Sequence, residues 1–211
     1  FHAAIWPGML LSAGLPLPKK IFVHGHITSG GQKMSKSLGN VIDPAQLLAM
    51  FKESAGELAG EVVRFVLLHE IPSFEDGDMT IDSIKISYTA YLANGIGNLT
   101  SRVMKMATSN GVTLTQPKMT IFAGGMVDMN ANLKQVMNRM RTLDEYIATN
   151  EPFKVIKVDE VKGKEMLLHC LEELDLLARE LSPYMPETSK RIGKCISENK
   201  MPEKPLFGRL Q

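Results

Sequence analysis

The chain has 211 residues, of which 44% are hydrophobic and 22% are charged, and its formal net charge is +1. This composition is typical of an ordinary globular protein with one large domain or two small ones, and it excludes a disordered chain. It also lacks the basic excess of a typical nucleic-acid binder, so RNA would have to bind a local basic surface. No apolar run approaches the ~20 residues of a membrane span, and no signal peptide is recognised. We therefore expect a cytoplasmic protein.

The first part of the chain has the pattern of an α/β fold. The sequence opens on Phe1 within an amphipathic pattern, and we interpret it as a fragment of a longer protein. Residues 1–14 are predicted to form a helix that ends near Gly14. Residues 21–27 then have the length and β-branching of a buried strand, on which His24 and His26 would share one face.

A glycine-rich turn over residues 29–32 and a loop over residues 33–40 follow this strand. Asp43 and Pro44 are a good N-cap and first residue for a helix that runs to about Phe51. In such α/β arrangements ligands bind at the carboxyl ends of the strands.

From about Tyr88 onward the predicted structure is entirely helical. Apolar residues recur there at steps of three and four in three segments. The three stripes are Leu92, Ile96, Leu99, Val103 and Met106, then Leu133, Val136, Met137, Met140, Leu143 and Ile147, and finally Leu167, Leu171, Leu174, Ala178 and Leu181. Helices of this kind bury their faces by packing on each other as a bundle. The connection from Gly111 to Gly125 is predicted to be a loop.

The strongest local signal is the string KMSKS at residues 33–37. Lys33 and Lys36 lie on a glycine-flanked loop, where the backbone can approach a phosphate closely. Ammonium groups in such a loop stabilise the charge that develops on a phosphate leaving group. A solvated turn is the alternative for an arbitrary loop of this composition. The Walker string GxxxxGK[ST] is absent.

Residues 33–44, KMSKSLGNVIDP, resemble the second signature of class I aminoacyl-tRNA synthetases. These enzymes form an aminoacyl-adenylate from ATP and then charge tRNA. The resemblance implies that Lys36 contacts the ATP phosphates in the transition state and that Lys33 assists, with Mg²⁺ as the counter-ion of ATP. The implied ATP-binding residues are Lys33, Met34, Ser35, Lys36 and Ser37.

The residues before this loop indicate the amino acid, because isoleucyl and valyl enzymes carry nearly the same lysine string. Phe1-His2, Trp6-Pro7 and the Gly14 to Pro18 segment resemble the methionyl enzymes, in which this helix supplies part of the methionine pocket. The resemblance implies that Phe1, His2 and Trp6 line that pocket, and aromatic walls suit a thioether. The alternative is that Trp6 fills the core.

Asn94, Asn98 and Arg102 step by four along a predicted helix and form its polar face. Gly97-Asn98-Leu99 with Ser101-Arg102 resembles the helix with which methionyl enzymes read the CAU anticodon. The resemblance implies that Asn98 and Arg102 hydrogen-bond splayed-out bases. A solvated helix surface is the alternative.

A further contact of the methionyl enzymes is a tryptophan, after a proline turn, on which an anticodon base stacks. This chain has Glu151-Pro152-Phe153 at that place. A phenylalanine also offers a stacking face, although it lacks the indole N–H. The resemblance therefore implies that Phe153 takes the stacking role.

The resemblance extends over most of the chain, with departures at residues 53–61 and 108–128 and at Gly208. It implies that residues 1–84 are the C-terminal, α/β part of a Rossmann-type catalytic domain carrying the KMSKS loop and a stem-contact region. Residues 85–211 would form an all-α, helical-bundle anticodon-binding domain.

The upstream half of such an active site contains a His-Ile-Gly-His motif and a connective domain that often binds zinc. His24-Gly25-His26-Ile27 has these residue types in another order and place, and we do not accept it as that motif. Cys170 and Cys195 have no metal-ligand spacing, so no metal site is predicted in this chain.

We therefore predict a methionine–tRNA ligase that uses methionine, ATP and initiator and elongator tRNA(Met), and that needs a missing N-terminal catalytic half. A non-catalytic tRNA-binding module is the second hypothesis. A related Ile or Val synthetase is the third, and Phe1-His2, Trp6 and Asn98 with Arg102 disfavour it.

Overall fold

The structure is a computed structural model that describes residues 1–115 and 128–210. It is mostly helical, with one small sheet of three short strands. The α-helices are α1 (Ile5–Ser12), α2 (Pro44–Ala55), α3 (Ala59–Glu70), α4 (Ile81–Ser87), α5 (Asn98–Ser109), α6 (Met129–Asn150), α7 (Pro152–Val155), α8 (Glu160–Leu181) and α9 (Pro186–Glu198). The strands are β1 (Ile27–Ser29), β2 (Gln32–Lys33) and β3 (Gly77–Asp78).

The sheet has the strand order β2-β1-β3. β1 and β2 pair antiparallel, with Thr28 opposite Lys33, and β1 and β3 pair parallel. Gly30 and Gly31, at the turn between β1 and β2, have φ values of 63° and 72°. A two-residue turn with positive φ at both positions matches the twist of a hairpin, and glycine adopts it without strain. The hairpin therefore delivers the chain directly to Lys33.

The prediction of a buried strand over residues 21–27 is wrong. The strand begins only at Ile27, and Ile21 and Val23 are exposed. No backbone of the described ranges pairs with residues 21–25, and an extended segment is buried only where a neighbour covers it. His24 and His26 therefore share no strand face. The amide of His26 instead donates to Asp76 Oδ1 at 2.7 Å.

The helix predicted after the lysine loop is confirmed, with its cap. Asp43 Oδ1 accepts a hydrogen bond from the amide of Ala45 at 2.9 Å, and Pro44 is the first helical residue. The helix runs to Ala55, beyond the predicted end at Phe51. The 3₁₀ turn Gly56–Leu58 then leads into α3.

A continuous helix begins at Ile81, earlier than the predicted start at Tyr88. Thr80 and Ser83 form a reciprocal capping box, which fixes this beginning. The segment Tyr88–Gly97, between α4 and α5, is π-helical. The π-helix is rare in proteins, and where it occurs it is frequently part of a functional site.

The helical prediction for the second part of the chain is confirmed at the level of its buried residues. All members of the three predicted stripes are buried except Met106, which is half-buried. The core they form is continuous from Leu47 to Phe207, and the predicted boundary at 84/85 falls inside α4. The predicted loop from Gly111 to Gly125 lies outside the described residues from position 116 onward.

Candidate functional site

The lysine loop is an ordered turn between the hairpin and α2. Lys33 is the last residue of β2, and Lys36 begins a 3₁₀ turn that ends at Leu38. Ser35 caps this turn, because its Oγ accepts a hydrogen bond from the amide of Leu38 at 3.3 Å. Both lysines and Ser37 are exposed, whereas Met34 and Ser35 are half-buried. The loop therefore presents two ammonium groups to solvent on a fixed backbone.

Asn40 closes this loop with its side-chain amide. Its Oδ1 accepts from the amide of Ser35 at 2.9 Å, and its Nδ2 donates to the carbonyl oxygen of Lys33 at 3.3 Å. A side chain that hydrogen-bonds one backbone donor and one backbone acceptor takes the place of the backbone hydrogen bonds that a neighbouring strand would make. Asn40 thus ties the two ends of the lysine segment together.

Asp78 fixes the hairpin turn from the far side of the sheet. Its Oδ1 accepts from the amide of Gly31 and from the hydroxyl of Thr28, both at 2.8 Å. The hydrogen bond from Gly31, and then that from Thr28, lowers the pKa of the Asp78 carboxyl. An ionised Asp78 therefore anchors the turn that immediately precedes Lys33. Sequence reasoning missed this contact, since its partners are far apart in the chain.

The aromatic residues before the loop are exposed. Phe1 is 91% exposed and Trp6 is 50% exposed, and no residue of α1 is buried. Trp6 does not fill the core of the described chain. Among the residues that the structure describes, no hydrogen bond, ion pair or ring contact joins Phe1, His2 or Trp6 to the lysine loop. α1 therefore presents an exposed apolar surface, and this surface makes none of these contacts with the lysine loop.

The predicted polar helix face lies across the π-helical and α-helical segments. Asn94 belongs to the π-helical segment and is exposed, as is Asn98 at the start of α5. Arg102 is half-buried and donates a hydrogen bond to the Asp144 carboxylate of α6. This ion pair joins the predicted RNA-reading helix to its neighbour.

A cavity of about 430 Å³ lies beside this ion pair, between α3, the π-helical segment and α6. Such a volume is within the range of pockets that hold small molecules. Its polar and aromatic lining comes from His69, Tyr91, Asn94, Lys134, Asn138, Arg141 and Asp144.

His69, which lines this cavity, contacts two neighbouring side chains. Its ring lies 4.3 Å from the ring of Tyr91, measured between centroids. Its Nδ1 lies 2.9 Å from Oε1 of Glu70. Sequence reasoning placed Asn94 on this face but missed the cavity, because its walls come from three separate helices.

Phe153 follows a proline turn at the end of α6. Glu151 has a positive φ of 44° and Pro152 is buried, so the chain bends sharply before the short helix α7. Phe153 is 40% exposed, and Nζ of Lys154 lies 6.0 Å from the centroid of its ring. Within the described parts of the chain no hydrogen bond or ring contact joins Phe153 to Asn98 or Arg102.

Residues 1–115 and 128–210 contain no group of three or more His, Cys, Asp or Glu side chains that could hold a metal ion. They also contain no helix that is both long and apolar enough to cross a membrane.

The sequence of residues 1–104 matches the family model described as tRNA synthetases class I (M). The lysine loop lies inside this match, which assigns residues 1–104 to the class I tRNA synthetases. The chain is also 34% identical to a methionine–tRNA ligase of Rhizobium meliloti over 93% of its length. A methionine–tRNA ligase of Rickettsia felis is 30% identical over 100% of the chain. The chain belongs to the methionyl-tRNA synthetase family.

A solved structure supports this assignment. The chain resembles a Mycobacterium tuberculosis methionyl-tRNA synthetase in complex with methionyl-adenylate, with a TM-score of 0.73 and 26% sequence identity over 99% of the chain. The chain covers 46% of that structure, and 40% and 44% of the two curated relatives. It therefore spans less than half the length of the proteins that it matches.

Proposed function

We propose that this chain is the C-terminal part of a methionine–tRNA ligase, which attaches methionine to tRNA(Met) through methionyl-adenylate. The observation that carries this proposal is the ordered lysine loop at residues 33–37, closed by Asn40 and joined to a helical unit that presents Arg102. In this proposal residues 1–84 complete a Rossmann-type catalytic domain, and residues 85–211 form the anticodon-binding bundle. A cytoplasmic location stays a prediction.

The lysine loop would act on the phosphates of ATP. Lys36 and Lys33 are exposed cations on a backbone that is held at both ends, so little reorganisation is needed when they contact a phosphate. Lys36 would stabilise charge on the departing pyrophosphate while Lys33 assists. Met34, Ser35 and Ser37 would shape the loop, and Ser35 already caps its turn. Mg²⁺ would accompany ATP as its counter-ion.

The methionine pocket would be completed by the part of the protein upstream of α1. Phe1, His2 and Trp6 would supply one wall of it. Their exposure supports this role, because an apolar surface that the described chain leaves uncovered fits an interface or a ligand site. The chain alone would then be catalytically incomplete.

The helical unit would read the anticodon of initiator and elongator tRNA(Met). Asn98 and Arg102 would hydrogen-bond unstacked bases, and Phe153 would offer a stacking face. The exposure of Asn98 and Phe153 and the partial exposure of Arg102 leave these groups accessible to RNA.

The catalytic claim is tested by methionine-dependent exchange of pyrophosphate into ATP. We expect no exchange by this chain alone, and exchange by the longer protein that contains it. Lys36→Ala in the longer protein should lower the exchange rate by orders of magnitude while the fold is retained. Full exchange by the Lys36→Ala protein would remove the lysine from its catalytic role.

The RNA-binding claim is tested on the chain itself, by titration with an anticodon stem-loop carrying CAU and with one of altered anticodon. Arg102→Ala should weaken binding of the CAU loop by ~1–3 kcal/mol if Arg102 contacts a base. Lys105→Ala removes an exposed cation from the same helix and is the matched control. Equal binding of both loops would contradict the reading roles of Asn98 and Arg102.

A non-catalytic tRNA-binding module is the second candidate. The observation that favours it is the helical unit, whose exposed Asn98 and half-buried Arg102 can contact RNA without an ATP site. Anticodon-specific binding by the chain, combined with no exchange by the longer protein, would support this candidate over the ligase. The Ile or Val alternative is set aside, since the family is the methionyl one.

A further inference from the structure

The β1–β2 hairpin, which leads into the lysine loop, is attached to the body of the chain through β3. The amide of Gly77 donates to the carbonyl oxygen of His26 at 2.9 Å, and the amide of Met79 donates to that of Thr28 at 3.0 Å. Among the described residues these backbone hydrogen bonds reach no further along the hairpin than Thr28. The glycine turn of the hairpin and β2 lie beyond them.

The side chain of Asp78 extends this attachment to the turn. Its Oδ1 accepts hydrogen bonds from the amide of Gly31 and the hydroxyl of Thr28, both at 2.8 Å. The bond from Gly31, and then that from Thr28, lowers the pKa of this carboxyl, so the group is ionised at neutral pH. Hydrogen bonds to an ionised acceptor are stronger than those between neutral groups. Because Gly31 lies two residues before Lys33, the backbone position of that lysine depends on this carboxylate.

β3 is itself held on both sides of Asp78. A Cβ atom at Gly77 would lie 2.9 Å from Cδ1 of Ile71, so the strand runs close against the end of α3. The side chain of Met79 is buried, with 2% of the residue exposed. Thr80 then caps α4. The carboxylate of Asp78 therefore projects from a backbone that packing holds in place.

The side chains of Lys33, Thr28 and Asp78 lie in one row across the sheet. Thr28 is opposite Lys33 of β2 and opposite Asp78 of β3. Opposite residues of neighbouring strands share a face, and the strands lie about 4.8 Å apart, so a lysine can reach a carboxylate two strands away. Within the described chain, however, Lys33 forms no ion pair, and the hydroxyl of Thr28 bonds the carboxylate instead. This arrangement leaves the Lys33 ammonium group available to a phosphate.

We propose that Asp78 is a positioning residue for the lysine loop, which it places so that Lys33 and Lys36 meet the phosphates of ATP during adenylate formation. Asp78 acts through Gly31 and Thr28 and does not touch ATP. Charged groups on a fixed backbone need no reorganisation at the moment of reaction, and a displacement of about 1 Å can lower a rate about 100-fold. This inference rests on the proposed function and adds a residue that lies outside the lysine string.

The test is a single turnover of methionyl-adenylate formation by the longer protein that contains this chain, followed by rapid quenching. The amplitude of this reaction counts the correctly folded active sites, and its rate constant measures the chemical step. Asp78→Ala should lower the rate constant by about 10- to 100-fold at unchanged amplitude. Asp78→Asn keeps the Oδ1 acceptor, so it should recover most of the rate.

A second variant covers the case in which Asp78→Ala yields too little folded protein. Thr28→Val keeps the shape of the side chain and removes the hydroxyl that bonds Asp78, and it should also lower the rate constant. The matched control is Asp82→Ala, which removes an exposed carboxylate from the first turn of α4. The control should leave both the amplitude and the rate constant unchanged.

Combination with Lys36→Ala shows whether Asp78 acts through the lysine loop. Lys36→Ala should slow the Asp78→Ala protein less than the unsubstituted protein, by about the same 10- to 100-fold factor. Part of the contribution of the lysine is already lost in that background. If Lys36→Ala costs the same in both backgrounds, or if Asp78→Ala lowers only the amplitude, the proposal is overturned.

The failure of the proposed function would look different. In that case the unsubstituted longer protein would form no methionyl-adenylate, or Lys36→Ala would leave its rate constant unchanged. A slow reaction in the Lys36→Ala protein, together with full rates in Asp78→Ala and Thr28→Val, would overturn only the positioning role.

Discussion

The carboxylate of Glu61 in α3 caps the start of α9 at Thr188. It accepts the amide of Thr188 at 2.9 Å, the hydroxyl of Thr188 at 2.7 Å and the amide of Glu187 at 2.6 Å. Both Glu61 and Thr188 are buried. The first amides of a helix have no partner within it, and a carboxylate there also interacts favourably with the helix dipole. These hydrogen bonds join Glu61 to residues that are 126 and 127 positions further along the chain.

Removing this carboxylate should destabilise the fold. Glu61→Ala leaves buried donors without an acceptor, and we expect the free energy of unfolding to fall by about 2–3 kcal/mol. Urea unfolding followed by circular dichroism measures it. Glu57→Gln is the matched control, because Glu57 joins the same two regions through an exposed ion pair with Arg191. The control should change the free energy by less than about 0.5 kcal/mol, and equal losses in both variants would contradict the capping role.

The free energy of unfolding should fall at acid pH, and part of this loss should come from protonation of the Glu70 carboxyl. The hydrogen bond with His69, and then that with Ser87, lowers the pKa of the Glu70 carboxyl against the opposing effect of burial. A carboxyl whose pKa is lower in the folded state stabilises the protein above its unfolded pKa and loses this contribution as the pH falls through its folded pKa. Urea midpoints between pH 7 and pH 3 should therefore fall less steeply for Glu70→Gln. Parallel profiles for the two proteins would show that Glu70 does not contribute.

The two cysteines should differ in their reaction with iodoacetamide. Cys170 is fully buried, and this burial raises the pKa of its thiol to about 12. Cys195 is half-buried, and burial raises the pKa of its thiol as well. Because only the thiolate reacts, Cys195 should be alkylated first at pH 8, and Cys170 only when the chain unfolds. Mass spectrometry of digests measures this order. In concentrated urea the two rates should become similar, and rapid alkylation of folded Cys170 would disprove its burial.

The lysine loop should lose its order without Asn40. Asn40→Ala removes the acceptor of the Ser35 amide, and we expect this amide to exchange with solvent at least about tenfold faster, as locally opened segments do. Asn40→Asp keeps the acceptor and loses only the donor to the Lys33 carbonyl oxygen, so it is the matched control. Amide exchange followed by nuclear magnetic resonance measures both variants. Unchanged exchange in Asn40→Ala would show that the loop is held by other contacts.

Local features of the sequence predicted those parts of the fold that depend on neighbours in the chain. The cap at Asp43 needs only the amide two residues later, and the stripe from Leu133 to Ile147 needs only helical spacing. The segment around Ile21 has the composition of a buried strand, but its burial depends on a partner that the described residues do not supply. The same composition therefore gave a wrong prediction there.

The candidate site was predictable only in part, for the same reason. The lysines and the polar residues Asn98 and Arg102 were found from local strings. The contacts of Asp78 and Asp144 could not be found, since Gly31 and Asp78 are 47 positions apart and Arg102 and Asp144 are 42 positions apart. Such contacts depend on how whole helices and strands pack, which periodicity alone does not define.

The π-helical segment from Tyr88 to Gly97 determines the direction in which the side chains after it point. Each residue of an α-helix turns the chain by about 100°, so adding or removing one residue rotates everything downstream by that angle. A one-residue deletion in this segment would shorten the molecule only slightly. It would nevertheless turn Arg102 away from Asp144 of α6 and would turn Asn98 by the same angle. If the proposed function holds, the number of residues in this segment determines RNA recognition in its own right, separately from the chemistry of Asn98 and Arg102.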